Sequence, residues 1–94
     1  MESGGNRWMG LMKHADQTTL EQLAPLLAQI RDRMPPLKEK GPGKFYLKSS
    51  AFLHFHDDPA GIFADLKVAG DWQRYPVNND AEYDSLLAAL DQQL

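Results

Sequence analysis

The sequence predicts an α+β fold, a two-layer sandwich in which a four-stranded antiparallel sheet packs against one helix from each end of the chain. Between residues 45 and 77 apolar side chains alternate with other residues at a period of two, which is typical of strands with one buried face. On both sides of this stretch leucines recur at spacings of three and four, which is typical of amphipathic helices. The predicted element order is therefore α-β-β-β-β-α, with both helices on one face of the sheet.

Length and composition limit the classes of function. The 94 residues suffice for one hydrophobic core, and 43% hydrophobic with 24% charged residues is typical of a globular protein, so residues 17–94 are predicted to form a single domain. The formal net charge of -3 argues against nucleic acid as a partner, since the chain as a whole does not attract phosphate backbones. The absence of cysteine excludes disulfides and cysteine-based metal sites or nucleophiles.

Residues 1–16 are predicted to be a flexible N-terminal arm, because they begin with a serine and two glycines and chain ends are commonly mobile. They lack the apolar core of a signal peptide. The apolar runs of the chain are also shorter than the roughly twenty residues that span a bilayer. We therefore expect no membrane association and a cytoplasmic location.

The first helix is predicted to begin at Thr18, which forms a capping box with Glu21, and to end before Pro35. Pro25 lies inside this pattern and costs about 3 kcal/mol within a helix, so we expect a kink or a restart with Pro25 in the first turn of a second piece. The predicted buried stripe consists of Leu20, Leu23, Leu27, Ile30 and Met34.

Four strands are predicted at residues 45–48, 51–56, 62–68 and 72–77, after a solvated loop at 37–44. A four-residue loop built on a type I turn is predicted to join the second and third strands, which pairs Asp57 with Ile62 and places His54 opposite Asp65. The pair Ala69–Gly70 joins the third and fourth strands and places Asp65 opposite Arg74. These registers keep the apolar residues of all three strands on one face.

The first hairpin and the last helix complete the prediction. A three-residue loop at residues 49–51 is preferred for the hairpin, with Leu47 beside Leu53, because Ser49 and Ser50 supply neither glycine nor asparagine for a two-residue turn. The last helix is predicted to begin after Asn78 or Asn79. Its predicted buried stripe consists of Tyr83, Leu86, Leu87, Leu90 and Leu94.

The face of the sheet opposite the helices, which we call the second face, is where the sequence predicts a functional site. Three of its residues, His54, Asp65 and Arg74, are expected to form one row across three strands. The simplest interpretation is a cross-strand polar ladder, which stabilises a sheet by about 0.2 to 1 kcal/mol. The second face is predicted to carry Tyr46, Lys48, Phe52, His54, His56, Phe63, Asp65, Lys67, Trp72 and Arg74.

Two chemical alternatives to a polar ladder remain open. His54 and His56 project from the same strand face, and Asp65 adds an oxygen ligand, so these three residues are candidate metal ligands. Alternatively, Asp65 holds His54 in one tautomer for acid–base chemistry, with water or the substrate as the nucleophile. We predict neither a bound metal nor a cofactor, and the sequence does not establish an enzyme.

The leading functional hypothesis is a binding or self-association module that uses the second face. Its aromatic residues, interleaved with lysine, arginine and histidine, have the composition of a protein interface. A homodimer or another protein is the expected partner. Aromatic and basic residues on a sheet also suit single-stranded nucleic acid, but the acidic chain lacks the glycine-aromatic signature of the common RNA-binding sheet.

Two segments, Phe52-Leu53-His54-Phe55-His56 and the following Gly61–Lys67, resemble a small bacterial domain type of uncharacterised function. In that type a strand ending in His-x-His is followed by a strand with Ala-Asp-Leu. The resemblance covers about half of the chain and implies a bacterial origin and the same α+β sheet. It implies no reaction, ligand or catalytic residue.

Overall fold

The computed structural model describes residues 13–94, and describes side chains from residue 15 onwards. It confirms an α+β fold with an antiparallel sheet. In chain order the elements are β1 (Lys13–His14), α1 (Gln17–Gln22), α2 (Ala24–Arg33), β2 (Lys38–Glu39), β3 (Phe45–Leu47), β4 (Ser50–Asp58), β5 (Gly61–Val68), β6 (Asp71–Pro76) and α3 (Asp80–Gln93).

The sheet has the strand order β2-β3-β4-β5-β6, and β1 pairs with β4 beside this path. The prediction of four strands was therefore wrong for residues 13–94. The two additional strands, β1 and β2, have two residues each, which is too short for a period-two pattern to be visible in the sequence.

The edge strand β2 lies within the segment predicted to be a loop, and an ion pair connects it to α2. Arg31 donates to both carboxylate oxygens of Glu39, at 2.6 and 2.8 Å, and the amide of Gly43 donates to the same carboxylate at 2.8 Å. The hydrogen bond from Arg31 is the main reason that the pKa of Glu39 lies below its ordinary value. Both contacts help to fix the 37–44 segment beside β3.

The two hairpins that position the candidate site have the predicted registers. His54 pairs with Asp65 between β4 and β5, and Asp65 pairs with Arg74 between β5 and β6. The pairing of β4 with β5 extends one step further than predicted, to Asp58 and Gly61, so that the connecting loop has two residues instead of four. Ala64 and Leu66 of β5 are fully buried opposite the buried Phe55 and Leu53 of β4, and a one-residue slip would move them out of the core.

The first hairpin was predicted wrongly. Leu47 pairs with Ser50, so the loop consists of Lys48 and Ser49, whose φ angles are 51° and 71°. These residues adopt the left-handed conformation that a two-residue turn requires, although neither is glycine or asparagine. An irregularity in the pairing then leaves Phe52 as an extra residue of β4 and brings Phe45 opposite Leu53.

The helices follow the predicted pattern with one change at the first N-terminus. Pro25 lies in the first turn of α2, so the expected restart is confirmed. The N-cap of α1 is Asp16 instead of Thr18, and its carboxylate accepts a hydrogen bond from the amide of Thr19 at 3.0 Å. Asn79 caps α3, as expected.

The core combines helix and strand residues. Leu23, Leu27, Ile30 and Met34 are buried as predicted, whereas Leu94 is 44% exposed. The buried hydrophobic residues are Leu23, Leu26, Leu27, Ile30, Met34, Phe45, Phe52, Leu53, Phe55, Ala64, Leu66, Val77, Leu86, Leu87 and Leu90.

The predicted N-terminal arm falls largely outside the described residues. Within residues 13–16, β1 pairs with β4, the amide of Ala15 donates to the carbonyl of Phe55 at 3.2 Å, and Asp16 caps α1. Among the helices of the described chain, none is both long enough and apolar enough to cross a membrane.

Candidate functional site

The candidate site lies on β4 and β5, where alternation of side chains separates it from the core. His54 and His56 alternate along β4 with Leu53 and Phe55, which are buried in the core. Because successive side chains of a strand point to opposite faces, the two histidines share the face of the sheet that is opposite to Leu53 and Phe55. Asp65 reaches the same face because it is paired with His54.

Three potential ligand atoms of these residues converge. Nδ1 of His54 lies 3.0 Å from Nε2 of His56, and the same Nε2 lies 2.9 Å from Oδ2 of Asp65. One ligand atom from each residue can be chosen so that all three lie within 4.8 Å of one another. This carboxylate contact is to His56, a diagonal neighbour of Asp65, whereas the register suggested a contact to the directly opposite His54.

The cluster is shielded but borders solvent. The side chains of His56 and Asp65 are 11% and 14% exposed, and His54 is partly buried. Interactions between ionic groups are stronger in such a setting than on an open surface, because water screens them less. A ligand can therefore be held firmly without being deeply enclosed.

Arg74 holds the far side of the carboxylate. Its Nε donates to Oδ1 of Asp65 at 3.1 Å, and its Nη2 donates to Oδ2 at 3.3 Å. The hydrogen bond with Asp65 is the main reason that the pKa of Arg74 lies above its ordinary value. Arg74 is therefore a permanent positive charge that orients Asp65 towards the histidines. The guanidinium also lies over the ring of Phe63, with its Cζ 5.6 Å from the ring centroid.

Trp72 and Lys67 border the cluster of His54, His56 and Asp65 next to His54. The rings of His54 and Trp72 have centroids 4.5 Å apart at an angle of 52°. The ammonium of Lys67, the residue paired with Trp72, lies 4.9 Å from the centroid of the Trp72 ring. Trp72 is 43% exposed, so its fluorescence can report events at His54.

The other predicted aromatic residues contribute less to an exposed surface than the sequence suggested. Phe52 is 6% exposed, which corrects its assignment to an uncovered face. Phe63 and Tyr46 are partly buried, and Lys40 lies over the ring of Tyr46, with its ammonium 5.2 Å from the centroid. The second face is thus not a continuous aromatic platform.

Sequence reasoning missed a depression beside His54. Its volume is about 290 Å³, and its walls include Lys44, Tyr46 and Ala51 next to His54. Its other lining residues, Phe45 and Leu53, are paired with each other at the irregularity between β3 and β4. That pairing depends on a turn of Lys48 and Ser49, so no pattern in the sequence reveals the depression.

The fold and the site together define an α+β protein with two histidines and a carboxylate gathered on one sheet face. Comparisons with protein families, with curated proteins and with solved structures found no match to the chain.

Proposed function

We propose that the protein binds a divalent transition-metal ion of the zinc class through His54, His56 and Asp65. The observation that carries this proposal is that Nε2 of His56 has two short contacts, 3.0 Å to His54 and 2.9 Å to Asp65. The proposal adopts the predicted two-layer arrangement, in which the helices cover the opposite face of the sheet. The shared burial of helix and strand residues supports that arrangement.

A single proton on Nε2 of His56 does not satisfy both of its short contacts. An imidazole nitrogen has one in-plane position, which holds either a proton or a lone pair. If Nε2 of His56 carries the proton, it donates to Asp65 and has no lone pair for His54. If it carries the lone pair, it accepts from His54 and faces the carboxylate oxygen of Asp65, another acceptor. A metal ion between the three atoms accepts a lone pair from each of them.

The type and spacing of these atoms suit zinc. Zinc binds imidazole nitrogen and carboxylate oxygen at about 2.0 to 2.2 Å, so two of its ligand atoms lie roughly 3 to 3.5 Å apart. The observed separations of 2.9 and 3.0 Å require only small side-chain movements. Arg74 then serves as an outer partner, because it holds Oδ1 of Asp65 while Oδ2 turns to the ion.

Zinc titration of the metal-free full-length protein tests the proposal. We expect one zinc per chain by calorimetry, with shifted nuclear magnetic resonance signals of His54 and His56. In His56→Gln and Asp65→Asn we expect no saturable binding at concentrations that saturate the parent, since each substitution removes a ligand. Asp71→Asn is the matched control, because it removes the same charge from an exposed position at the start of β6.

Two results contradict metal binding. The first is a parent protein whose histidine signals stay unshifted at stoichiometric zinc. The second is equal zinc affinity in Asp65→Asn and the parent, which places any bound zinc elsewhere on the chain.

Self-association through the second face is a second candidate function, favoured by the exposure of Trp72 on the edge strand β6. A partly exposed tryptophan beside Lys67 is a typical anchor of a protein interface. Sedimentation velocity of the parent at high concentration is expected to show a dimer that Trp72→Ala weakens. Leu94→Ala is the control, because Leu94 is equally exposed at the end of α3. A parent that remains monomeric contradicts this candidate.

A further inference from the structure

The depression beside His54 adjoins the proposed metal ligands. His54 belongs both to its wall and to the cluster of candidate ligands. The volume of about 290 Å³ is near the lower end of the roughly 300 to 1,000 Å³ that is typical of small-molecule sites. The space therefore suits a small molecule that lies next to the ion.

The inner wall of the depression is apolar. Phe45 and Leu53 are 2% and 0% exposed, so they present only a small apolar surface at its base. Ala51, which is paired with Tyr46, has a short side chain that leaves room in front of them. Phe52 follows Ala51 but is buried in the core and does not line the depression. An apolar group of a ligand can therefore occupy this space.

Three lysines lie around the depression and the cluster. Lys44 is part of the wall, the ammonium of Lys40 lies 5.2 Å from the ring centroid of Tyr46, and that of Lys67 lies 4.9 Å from the ring centroid of Trp72. Among the side chains that the structure describes, these lysines form no ion pair, whereas the carboxylate of the proposed site is paired with an arginine. The local charge thus favours an anion, although the chain as a whole has a formal charge of -3.

The proposed metal site has room for one more ligand. Among the described side chains, His54, His56 and Asp65 are the three that come together as candidate ligands. With three protein ligands, zinc keeps a fourth position for water or substrate, and a carboxylate oxygen is a ligand that zinc accepts. The class of molecule that meets both the ion and the depression is therefore an anion with an apolar part.

We propose that a small organic carboxylate binds at the open position of the ion and places its apolar part in the depression beside His54. This inference rests on the metal binding proposed above. The ion binds a carboxylate oxygen, Lys44 supplies a positive charge that attracts the ligand, and Ala51 leaves the space that the apolar part fills. The affinity for the carboxylate therefore depends on both the metal and the depression.

Benzoate is the probe, and benzamide is its uncharged match of nearly the same shape. In calorimetry with the full-length chain, we expect one benzoate to bind each zinc-loaded protein, with no saturable binding to the metal-free protein. Benzamide is expected not to bind, because it lacks the charge that the ion and the lysines attract. In the cobalt(II)-loaded protein, benzoate is expected to change the visible absorption, which responds to the ligands of the ion.

Two variants locate the carboxylate in the depression. Ala51→Leu fills the space, so we expect it to lose benzoate binding while it keeps the zinc affinity of the parent. Lys44→Gln is expected to lower benzoate affinity by roughly 3- to 10-fold, which lies between the loss of an exposed ion pair and that of a hydrogen bond to a charged group. Lys48→Gln is the matched control, because Lys48 is exposed and does not line the depression. Circular dichroism checks that each variant is folded.

The outcomes separate this inference from the proposed function. If the parent binds zinc but benzoate leaves the cobalt spectrum unchanged, or binds the metal-free protein equally well, the carboxylate does not bind at the ion and the inference is overturned. A folded Ala51→Leu variant that binds benzoate like the parent overturns the place assigned to the apolar part. In these cases the metal binding stands, whereas a parent that binds no zinc overturns the proposed function together with this inference.

Discussion

Replacement of Leu66 by alanine is expected to lower the free energy of unfolding by about 2 to 5 kcal/mol. Leu66 is fully buried on β5 and is paired with Leu53, which is also fully buried. The substitution removes apolar atoms from the centre of the core and leaves a cavity that the rigid sheet fills only partly. Because small domains are stable by about 5 to 15 kcal/mol, a loss of this size is a large part of the total.

Equilibrium denaturation in urea measures this loss, with Gln73→Ala as the control. Gln73 is paired with Leu66 across β5 and β6 but is exposed, so its truncation is expected to change stability by no more than about 0.5 kcal/mol. A loss below about 1 kcal/mol in Leu66→Ala contradicts the close packing of helices and sheet at this position.

The elements that the sequence predicted well are those in which several signals agree. In β4 and β5, burial at a period of two and a turn with aspartate, proline and glycine all favour one register, in which His54 pairs with Asp65. In β6 the burial pattern is weak, since Tyr75 is its one partly buried residue, and the short Ala69–Gly70 link aligns Arg74 with Asp65. A one-residue slip in either hairpin moves apolar residues out of the core, and this penalty makes the registers predictable.

The first hairpin shows where such reasoning fails. The two-residue turn places Lys48 and Ser49 at positive φ, a conformation for which their side chains give no signal. The irregularity at Phe52 then compensates for the shorter loop and returns Leu53 to the core face. A sequence pattern shows the order of residues along one strand, whereas a bulge depends on how two strands pair with each other.

The sequence predicted which residues form the candidate site, but it did not predict which of their atoms are in contact. The alternation along β4 and β5 placed His54, His56 and Asp65 on one face, and the structure brings all three together. The carboxylate contact to His56 depends on side-chain rotamers, which no register determines. The pairing of β1 with β4 was also not predictable, because β1 is a two-residue strand far from β4 in the sequence and long-range pairing of this kind leaves no local pattern.

Zinc at a concentration 100 times its dissociation constant is expected to raise the free energy of unfolding by about 2.7 kcal/mol. In the proposed site the ion would bind the folded chain through side chains on β4 and β5 that are apart in the unfolded chain. For a domain of this size each kcal/mol corresponds to roughly 4 to 8 °C, so we expect the melting temperature to rise by about 10 to 20 °C. Thermal unfolding followed by circular dichroism measures the rise, and a chelator should reverse it.

This stabilisation is expected to shrink as the pH falls, because protons compete with the ion for the imidazole nitrogens of the site. Melting temperatures measured with and without zinc at about pH 7.5 and about pH 5.5 should therefore converge at the lower value, where histidine is largely protonated. His56→Gln is the control, because it lacks the nitrogen that contacts both His54 and Asp65. If zinc raises the melting temperature of this variant as much as that of the parent, zinc stabilises the protein from another site. The expected stabilisation requires the ion to occupy the site that joins β4 and β5.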